Sequence, residues 1–373
     1  METLQILLKP ASAACNLRCR YCFYRDEAAH RQSADRGRMQ PAVMRAVIDK
    51  ALQAADNCIF AFQGGEPTLA GLDFYQNFVQ YVASQKRPGQ RVEYILQTNA
   101  CTLDENWAAF LAKHRFLVGV SLDGTRRMHD ANRIGGSGAG TFRRVLGGLR
   151  RLQEKRVPVN VLCVCTAQNA DNMEAVYHFF MERGLSSQQY IPCMDPLSAP
   201  AGSEPYSLTP RAWGKAMCAL FDCWFADKAR GLPVYVRQFD NYLNMLLGGQ
   251  PEACAMYGKC TMQHVVEADG NIYPCDFYAL DSFCMGNIRQ TDFVALQEAS
   301  MHPASCRFFQ NATQRDSRCP HCRWYPLCRG GCRRDCFQKD GIFYNRYCEA
   351  YQGFFAYAIE RLEWLAGRLD PRA

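Results

Sequence analysis

Residues 4–24 read LQILLKPASAACNLRCRYCFY, a short apolar run that passes at once into three cysteines spaced CxxxCxxC: Cys15, Cys19 and Cys22. Leu4-Gln5-Ile6-Leu7-Leu8 has the make-up of a strand, so the three thiols are delivered at one strand end. A four-iron, four-sulfur cluster takes thiolate ligands at its corners. Three thiolates from one loop bind three irons and leave the fourth open to a small molecule. Short cysteine spacings also suit zinc. A zinc site, however, usually closes with a fourth Cys or His nearby, and His30 is the one candidate within easy reach. The spacing favours an iron–sulfur cluster with an open corner.

Strand-like and helix-like segments alternate outward from this loop. A helix is expected over 41–55, where Pro41 suits the first turn and Val43, Val47, Ile48, Ala51 and Leu52 form an apolar stripe. Strands are expected near 58–62, 91–98, 116–122, 157–164 and 187–193, with helices near 72–86, 104–114, 141–155 and 170–183. Six strands alternating with helices imply parallel βαβ units, hence an α/β class. Right-handed crossovers curl such a sheet into a partial (β/α)6 barrel, with cofactor groups at the C-terminal strand ends.

After about Pro196 the pattern changes. A linker over 198–210 leads to helices near 210–230 and 235–248, and the stretch from Cys254 to Cys348 is rich in cysteine, with short turns and little apolar periodicity. Such a stretch cannot build its own core and is expected to be held together by metal clusters. A terminal helix near 349–369, with Tyr351, Phe354, Phe355, Ala358, Ile359 and Leu362 on one side, is expected to pack back on the barrel. The expected domains are 1–235 (barrel with linker), 236–348 (cluster-bearing) and 349–373 (terminal helix).

Composition narrows the class. The 373 residues exceed one ordinary core, and 48% hydrophobic with 21% charged residues describe a globular chain. No run of about 18 apolar residues offers a membrane span, and no secretory signal opens the chain, so a cytoplasmic location is expected. Twenty-one cysteines in that setting read as reduced, metal-binding thiols. The net charge of +7 is spread out; Arg126-Arg127, Arg143-Arg144 and Arg150-Arg151 read as solvated helix faces. Nothing suggests nucleic-acid binding.

Further motifs gather around the expected strand ends. Gly64-Gly65-Glu66-Pro67 follows the second strand; its glycines allow close backbone approach, and its carboxylate can accept an amine such as that of a methionyl group. Ser121 and Asp123, at a later strand end, could contact a bound ligand or simply cap the strand. Tyr24 and Gln63 lie beside the two motifs and are pocket candidates. Toward the C-terminus come Cys254, Cys260, Cys275, Cys319-Pro320-His321-Cys322, Cys328, Cys332, Cys336 and Cys348, enough thiolates for two complete clusters. Zinc ribbons also use paired CxxC.

These strings together resemble one family. LLKPASAACNLRCRYCFY (7–24), FAFQGGEPTLAGLDFY (60–75), LQTNA (96–100), FLVGVSLDG (116–124), DGNIYPCDFY (269–278) and CPHCRWYPLCRGGCRR (319–334) are similar to the radical S-adenosylmethionine enzymes with a SPASM extension, most closely the anaerobic sulfatase-maturating enzymes. Ala100 stands where a Gly often follows Thr-Asn, and Cys336 is an additional thiol.

The resemblance implies oxidation of one Cys or Ser of a sulfatase to Cα-formylglycine, with S-adenosylmethionine and three [4Fe–4S] clusters as cofactors. Cys15, Cys19 and Cys22 would hold the radical cluster. Cys254, Cys260, Cys275 and Cys332 would hold one auxiliary cluster, and Cys319, Cys322, Cys328 and Cys348 the other; Cys306 or Cys336 could replace one of these. Tyr24, Gln63, Gly64, Gly65, Glu66, Ser121 and Asp123 would line the cofactor pocket, and Asp276 would be the base that takes the substrate's proton. The implied partners are a sulfatase polypeptide and an electron donor such as flavodoxin or ferredoxin, acting on a monomer. A thioether-forming or epimerising peptide maturase is the alternative within the same superfamily. Many of those carry a leader-binding domain before the barrel, whereas here the first strand begins by about residue 4.

Overall fold

The computed structural model describes residues 1–301, 307–310 and 316–369. The expected strands form at Thr3–Lys9 (β1), Asn57–Phe62 (β2), Arg91–Thr98 (β3), Leu117–Ser121 (β4), Val159–Cys165 (β5) and Ser187–Pro192 (β6). Five more are short: Tyr235–Val236 (β7), Val265–Glu267 (β8), Ile272–Tyr273 (β9), Cys336–Lys339 (β10) and Ile342–Asn345 (β11). The chain folds into two compact units, each drawn from separated stretches.

The first unit comprises Met1–Ser121, Arg133–Val159 and Thr261–Gln310. Here β1 to β4 run parallel in sequence order, with Leu8 opposite Phe62 and Phe62 opposite Leu96. Helices Pro41–Ala54, Leu72–Gln85 and Glu105–Lys113 connect them. A parallel sheet covered by helices needs apolar strands, and Ile6, Leu8, Phe60, Phe62, Leu96 and Val118 are all fully buried. The helix ends follow local chemistry: Pro41 starts one, and the Asp104 carboxylate caps another by accepting from Trp107 N.

One joint is absent from the sequence reading. β8 adds to the outer edge of β1 in parallel register, with Lys9 opposite Glu267, and β9 pairs back on it antiparallel. The two strand pieces around Asp269-Gly270-Asn271 therefore extend the barrel sheet. Strands of three and two residues carry no periodic signal that would have shown where they pair.

The second unit comprises Leu122–Asn132, Asn160–Cys260 and Asn311–Ala373, with β5, β6 and β7 parallel. Its terminal helix begins at Cys348 itself and runs to Leu369. It buries Phe354 and Phe355 against helices Pro210–Ala229 and Arg237–Leu246, with Phe354 5.7 Å from Phe221 and 5.6 Å from Phe239 between ring centroids. Its packing partners are these two helices, both of which follow β6 in the chain. The hairpin β10–β11 was also unforeseen, its residues being mostly polar or half-exposed.

Candidate active site

The cysteine loop leaves β1 directly and is fastened by backbone. Ser12 N donates to Lys9 O (3.1 Å), Ala14 N to Ala11 O (3.0 Å) and Arg18 N to Ile134 O (2.7 Å). Asn99, just beyond β3, donates through Nδ2 to Asn16 Oδ1 at 2.7 Å. Cys15, Cys19 and Cys22 are all half-buried on this loop. Burial pushes the Cys15 thiol up to about 12, and Glu66, Cys22 and Cys19 add to the rise. Thiols so crowded ionise together only around positive charge, which suits a cluster whose irons supply it.

The Gly-Gly turn serves this loop. Gly64 takes φ 110°, and a Cβ on Gly65 would lie 2.2 Å from Ala14 O. Gly65 N donates to Ser12 O (2.9 Å) and Glu66 N to Ala14 O (2.8 Å). The close approach that the glycines permit is to the chain's own cysteine loop. Glu66 is buried, and its carboxylate accepts from Thr68 N (3.1 Å), Thr68 Oγ1 (2.6 Å), Thr98 Oγ1 (2.7 Å) and Asn99 N (2.8 Å). Four protein donors occupy the carboxylate expected to meet an amine. Nearby, Ala100 adopts φ 57°, in the left-handed region that favours glycine.

Ser121 ends β4 half-exposed and accepts from Gln97 Nε2 at 3.0 Å. Asp123 belongs to the second unit, where it is buried and accepts from Val164 N at 3.0 Å. That contact ties down a strand end.

Tyr24, Gln63 and Asp276 converge in the first unit. The Tyr24 hydroxyl donates to Asp276 Oδ2 at 2.7 Å and lies 3.1 Å from Gln63 Oε1. Burial, reinforced by Asp276, raises the Tyr24 phenol well above its ordinary value, so it stays protonated and acts as a donor. Asp276 is 7% exposed, and its main-chain N–H donates to Gln263 Oε1 at 2.8 Å.

Behind Asp276 lies an ionic cluster that the sequence reading missed. Lys9 Nζ, at the end of β1, sits 3.2 Å from Asp276 Oδ1, 3.1 Å from Glu27 Oε2 and 3.7 Å from Glu267 Oε1. Arg31 bridges Glu27 and Glu267 at 2.7 Å each. Burial, the largest single effect, works against the Lys9 charge, but Asp276, Glu27 and Glu267 together hold its pKa above the ordinary value. Burial also raises Glu27, partly offset by Lys9 and Arg31. A lysine closing an apolar strand just before the cysteines was the available signal; its partners lie too far along the chain for spacing to reveal.

Five of the C-terminal cysteines share a cavity. Cys319, Cys322, Cys328 and Cys348, together with Cys336, line one cavity of about 110 Å³ in the second unit, beside Trp324, Tyr325, Tyr351 and Phe355. Burial pushes Cys328 up to about 11, with Cys348, Cys319 and Cys322 contributing, so these four thiols also crowd one another. The donor set and the space fit a four-thiolate cluster. Of the four thiols expected to hold the other auxiliary cluster, Cys275 lies in the first unit and Cys254, Cys260 and Cys332 in the second. Cys306 falls outside the described residues. Among the described residues, no three Cys, His, Asp or Glu side chains converge closely enough to hold a single ion.

Residues 10–180 match the Radical SAM superfamily and residues 254–329 the iron–sulfur cluster-binding SPASM domain. A cysteine-type anaerobic sulfatase-maturating enzyme of Clostridium novyi is 39% identical over 100% of both chains. The chain belongs to the anaerobic sulfatase-maturating enzymes. A second cysteine-type member, from Clostridium perfringens, is also 39% identical, over 97% of this chain and 98% of its own. A serine-type member from Bacteroides thetaiotaomicron is 26% identical over 99% of this chain and 92% of its own. The solved structure of native anSMEcpe with bound AdoMet and the Kp18Cys peptide superposes with a TM-score of 0.92 at 38% identity, covering 98% of this chain and 100% of that one. The fold is thus the partial radical-SAM barrel with a C-terminal SPASM region and terminal helix, as expected. As a member of this family the protein is a radical S-adenosylmethionine oxidoreductase, and its cofactors are S-adenosylmethionine and three [4Fe–4S] clusters. No described helix is long and apolar enough to cross a membrane.

Proposed function

We propose that this maturating enzyme oxidises a cysteine of a sulfatase polypeptide to Cα-formylglycine, with Asp276 as the proton acceptor. The observation that carries the reading is the hydrogen bond from Tyr24 to Asp276, which joins the residue two after Cys22 to the residue after Cys275. Cys15, Cys19 and Cys22 would hold the radical cluster; Cys254, Cys260, Cys275 and Cys332, and separately Cys319, Cys322, Cys328 and Cys348, would hold the auxiliary ones. Bound there, S-adenosylmethionine and the clusters supply a radical that takes one Cβ hydrogen and an acceptor for one electron. Asp276 takes the thiol proton, and the resulting thioaldehyde is hydrolysed to the aldehyde with loss of sulfide. Tyr24, held protonated, orients the carboxylate, and Gln63 sits at the same hydroxyl. Because the Glu66 carboxylate is occupied, the cofactor's amine is assigned to backbone carbonyls of Gly64, Gly65 and Glu66. The greater likeness to cysteine-type members, 39% against 26%, supports the cysteine preference. An acidic one-electron donor of the flavodoxin or ferredoxin type, a monomeric state, a cytoplasmic location and the division at residues 235 and 348 complete the proposal.

Anaerobic incubation with paired Cys- and Ser-containing sulfatase peptides, read by mass spectrometry, tests it. The Cys peptide should lose its thiol and gain an aldehyde; conversion of the Ser peptide alone would reverse the preference. Asp276→Asn should still make 5′-deoxyadenosine, with deuterium from a Cβ-deuterated substrate. Aldehyde formation should fall by about 10²–10⁴-fold, the usual contribution of a general base.

A further inference from the structure

We propose that Lys9 is a positioning residue for the oxidation, fixing one oxygen of Asp276 so that the other meets Tyr24. This rests on the assignment of Asp276 as the proton acceptor. Lys9 is 1% exposed, and its ammonium is fixed from several sides: Glu27 Oε2 at 3.1 Å, Glu267 Oε1 at 3.7 Å and the Tyr24 ring centroid at 4.9 Å. Against this cation lies Asp276 Oδ1 at 3.2 Å, at an angle too poor for a hydrogen bond, while Oδ2 accepts from Tyr24 at 2.7 Å. The ion pair therefore restrains one oxygen by charge and leaves the other to a directional bond. A carboxylate pinned in this way cannot rotate about its terminal torsion, which is otherwise broad and roughly two-fold.

The surrounding contacts explain why the cation stays in place. Arg31 is taken up by Glu27 and Glu267, leaving Lys9 as the partner of Asp276. The second oxygen of Glu27 accepts from Ala279 N, three residues beyond Asp276. The helix following Cys22 and the turn following Cys275 are thus tied to the same ammonium. Placement of a base within its reaction geometry is worth large factors in rate.

The test separates cofactor cleavage from product formation. Lys9→Met should keep its iron and make 5′-deoxyadenosine at a near wild-type rate, yet form formylglycine about 10- to 10²-fold more slowly, a part of what the base supplies. In an Asp276→Asn background, adding Lys9→Met should lower formylglycine no further, because the two residues act through one group. Lys9→Met/Glu27→Gln, which removes one charge of each sign, covers the case in which the single variant is insoluble. It should show the same split between the two products. Equal loss of both products with full iron content, or additive losses in the double variant, would overturn the role of Lys9. Undiminished aldehyde formation by Asp276→Asn alone would instead remove Asp276 as the base, and Lys9 with it.

Discussion

In the first unit, Cys15, Cys19 and Cys22 sit on a loop fastened from distant parts of the chain: Ile134, Asn99 and the Gly65–Glu66 backbone each bond to it. In the second unit, Cys319, Cys322 and Cys328 hang on local turns, such as Cys322 N to Cys319 O (3.1 Å) and Cys328 N to Trp324 O (2.8 Å), around a cavity. A loop braced by long-range hydrogen bonds holds its shape through the protein. A cysteine pocket whose thiols hang on short turns needs the metal to draw those turns together, so metal binding there contributes folding free energy. One region presents a cluster, and the other is made by one.

The comparison predicts opposite outcomes for cysteine removal. Replacing Cys15, Cys19 and Cys22 together by Ala should abolish cleavage of S-adenosylmethionine while leaving a soluble protein with about 8 of the 12 irons that three cubane clusters contain. Reductive cleavage surviving in that variant, measured as 5′-deoxyadenosine, would break the assignment. Cys328→Ala or Cys348→Ala should lose about four irons together with solubility and resistance to protease. A protease-resistant variant with unchanged iron would show that thiol not to be a ligand.

Smaller effects probe the bracing itself. Gly65→Ala drives a methyl against Ala14 O, 2.2 Å from an ideal Cβ. Overpacking of this kind costs about 3 kcal/mol, so its unfolding midpoint in urea should drop and 5′-deoxyadenosine formation should fall with it. An unchanged midpoint would mean that the loop yields, and that the brace is weaker than its hydrogen bonds suggest. His264, in the first unit, is buried with Nε2 unpartnered, and burial lowers its pKa to about 4. Its unfolded form takes up a proton near 6.5, so stability is full above that pH, declines as pH falls through it and levels off near 4. The loss between pH 7 and pH 5 is about 2 kcal/mol, which His264→Phe should remove from the pH dependence of unfolding. An identical pH dependence in that variant would place the acid sensitivity elsewhere.

What could be read from the chain divides along physical lines. The β1 to β6 alternation was legible because apolar runs and capped amphipathic helices are local signals; the helix at 41–55 is observed at Pro41–Ala54. The cysteines were legible because spacing is itself the chemistry. The cluster of Lys9, Glu27, Arg31 and Glu267 was not, since each looks like a solvated charge until β8 reaches β1. The setting of Glu66 was legible only in part: the Thr68 hydroxyl that donates to its carboxylate is two residues on, but Thr98, which donates to the same oxygen, is brought there only by β3.

The late pairing of β8 with β1 also bears on how the protein is made. Tyr24 and Asp276 lie 252 positions apart, so the ribosome has released most of the chain before they can meet. Until then β1 has one open edge, and the lysine at its end has none of its distant carboxylate partners. An exposed strand edge in a half-made chain invites wrong pairing. Loops of this length form slowly compared with the local βαβ units. The active site is therefore assembled late in synthesis, and chains cut short before Asp276, however well their barrel strands form, emerge without it.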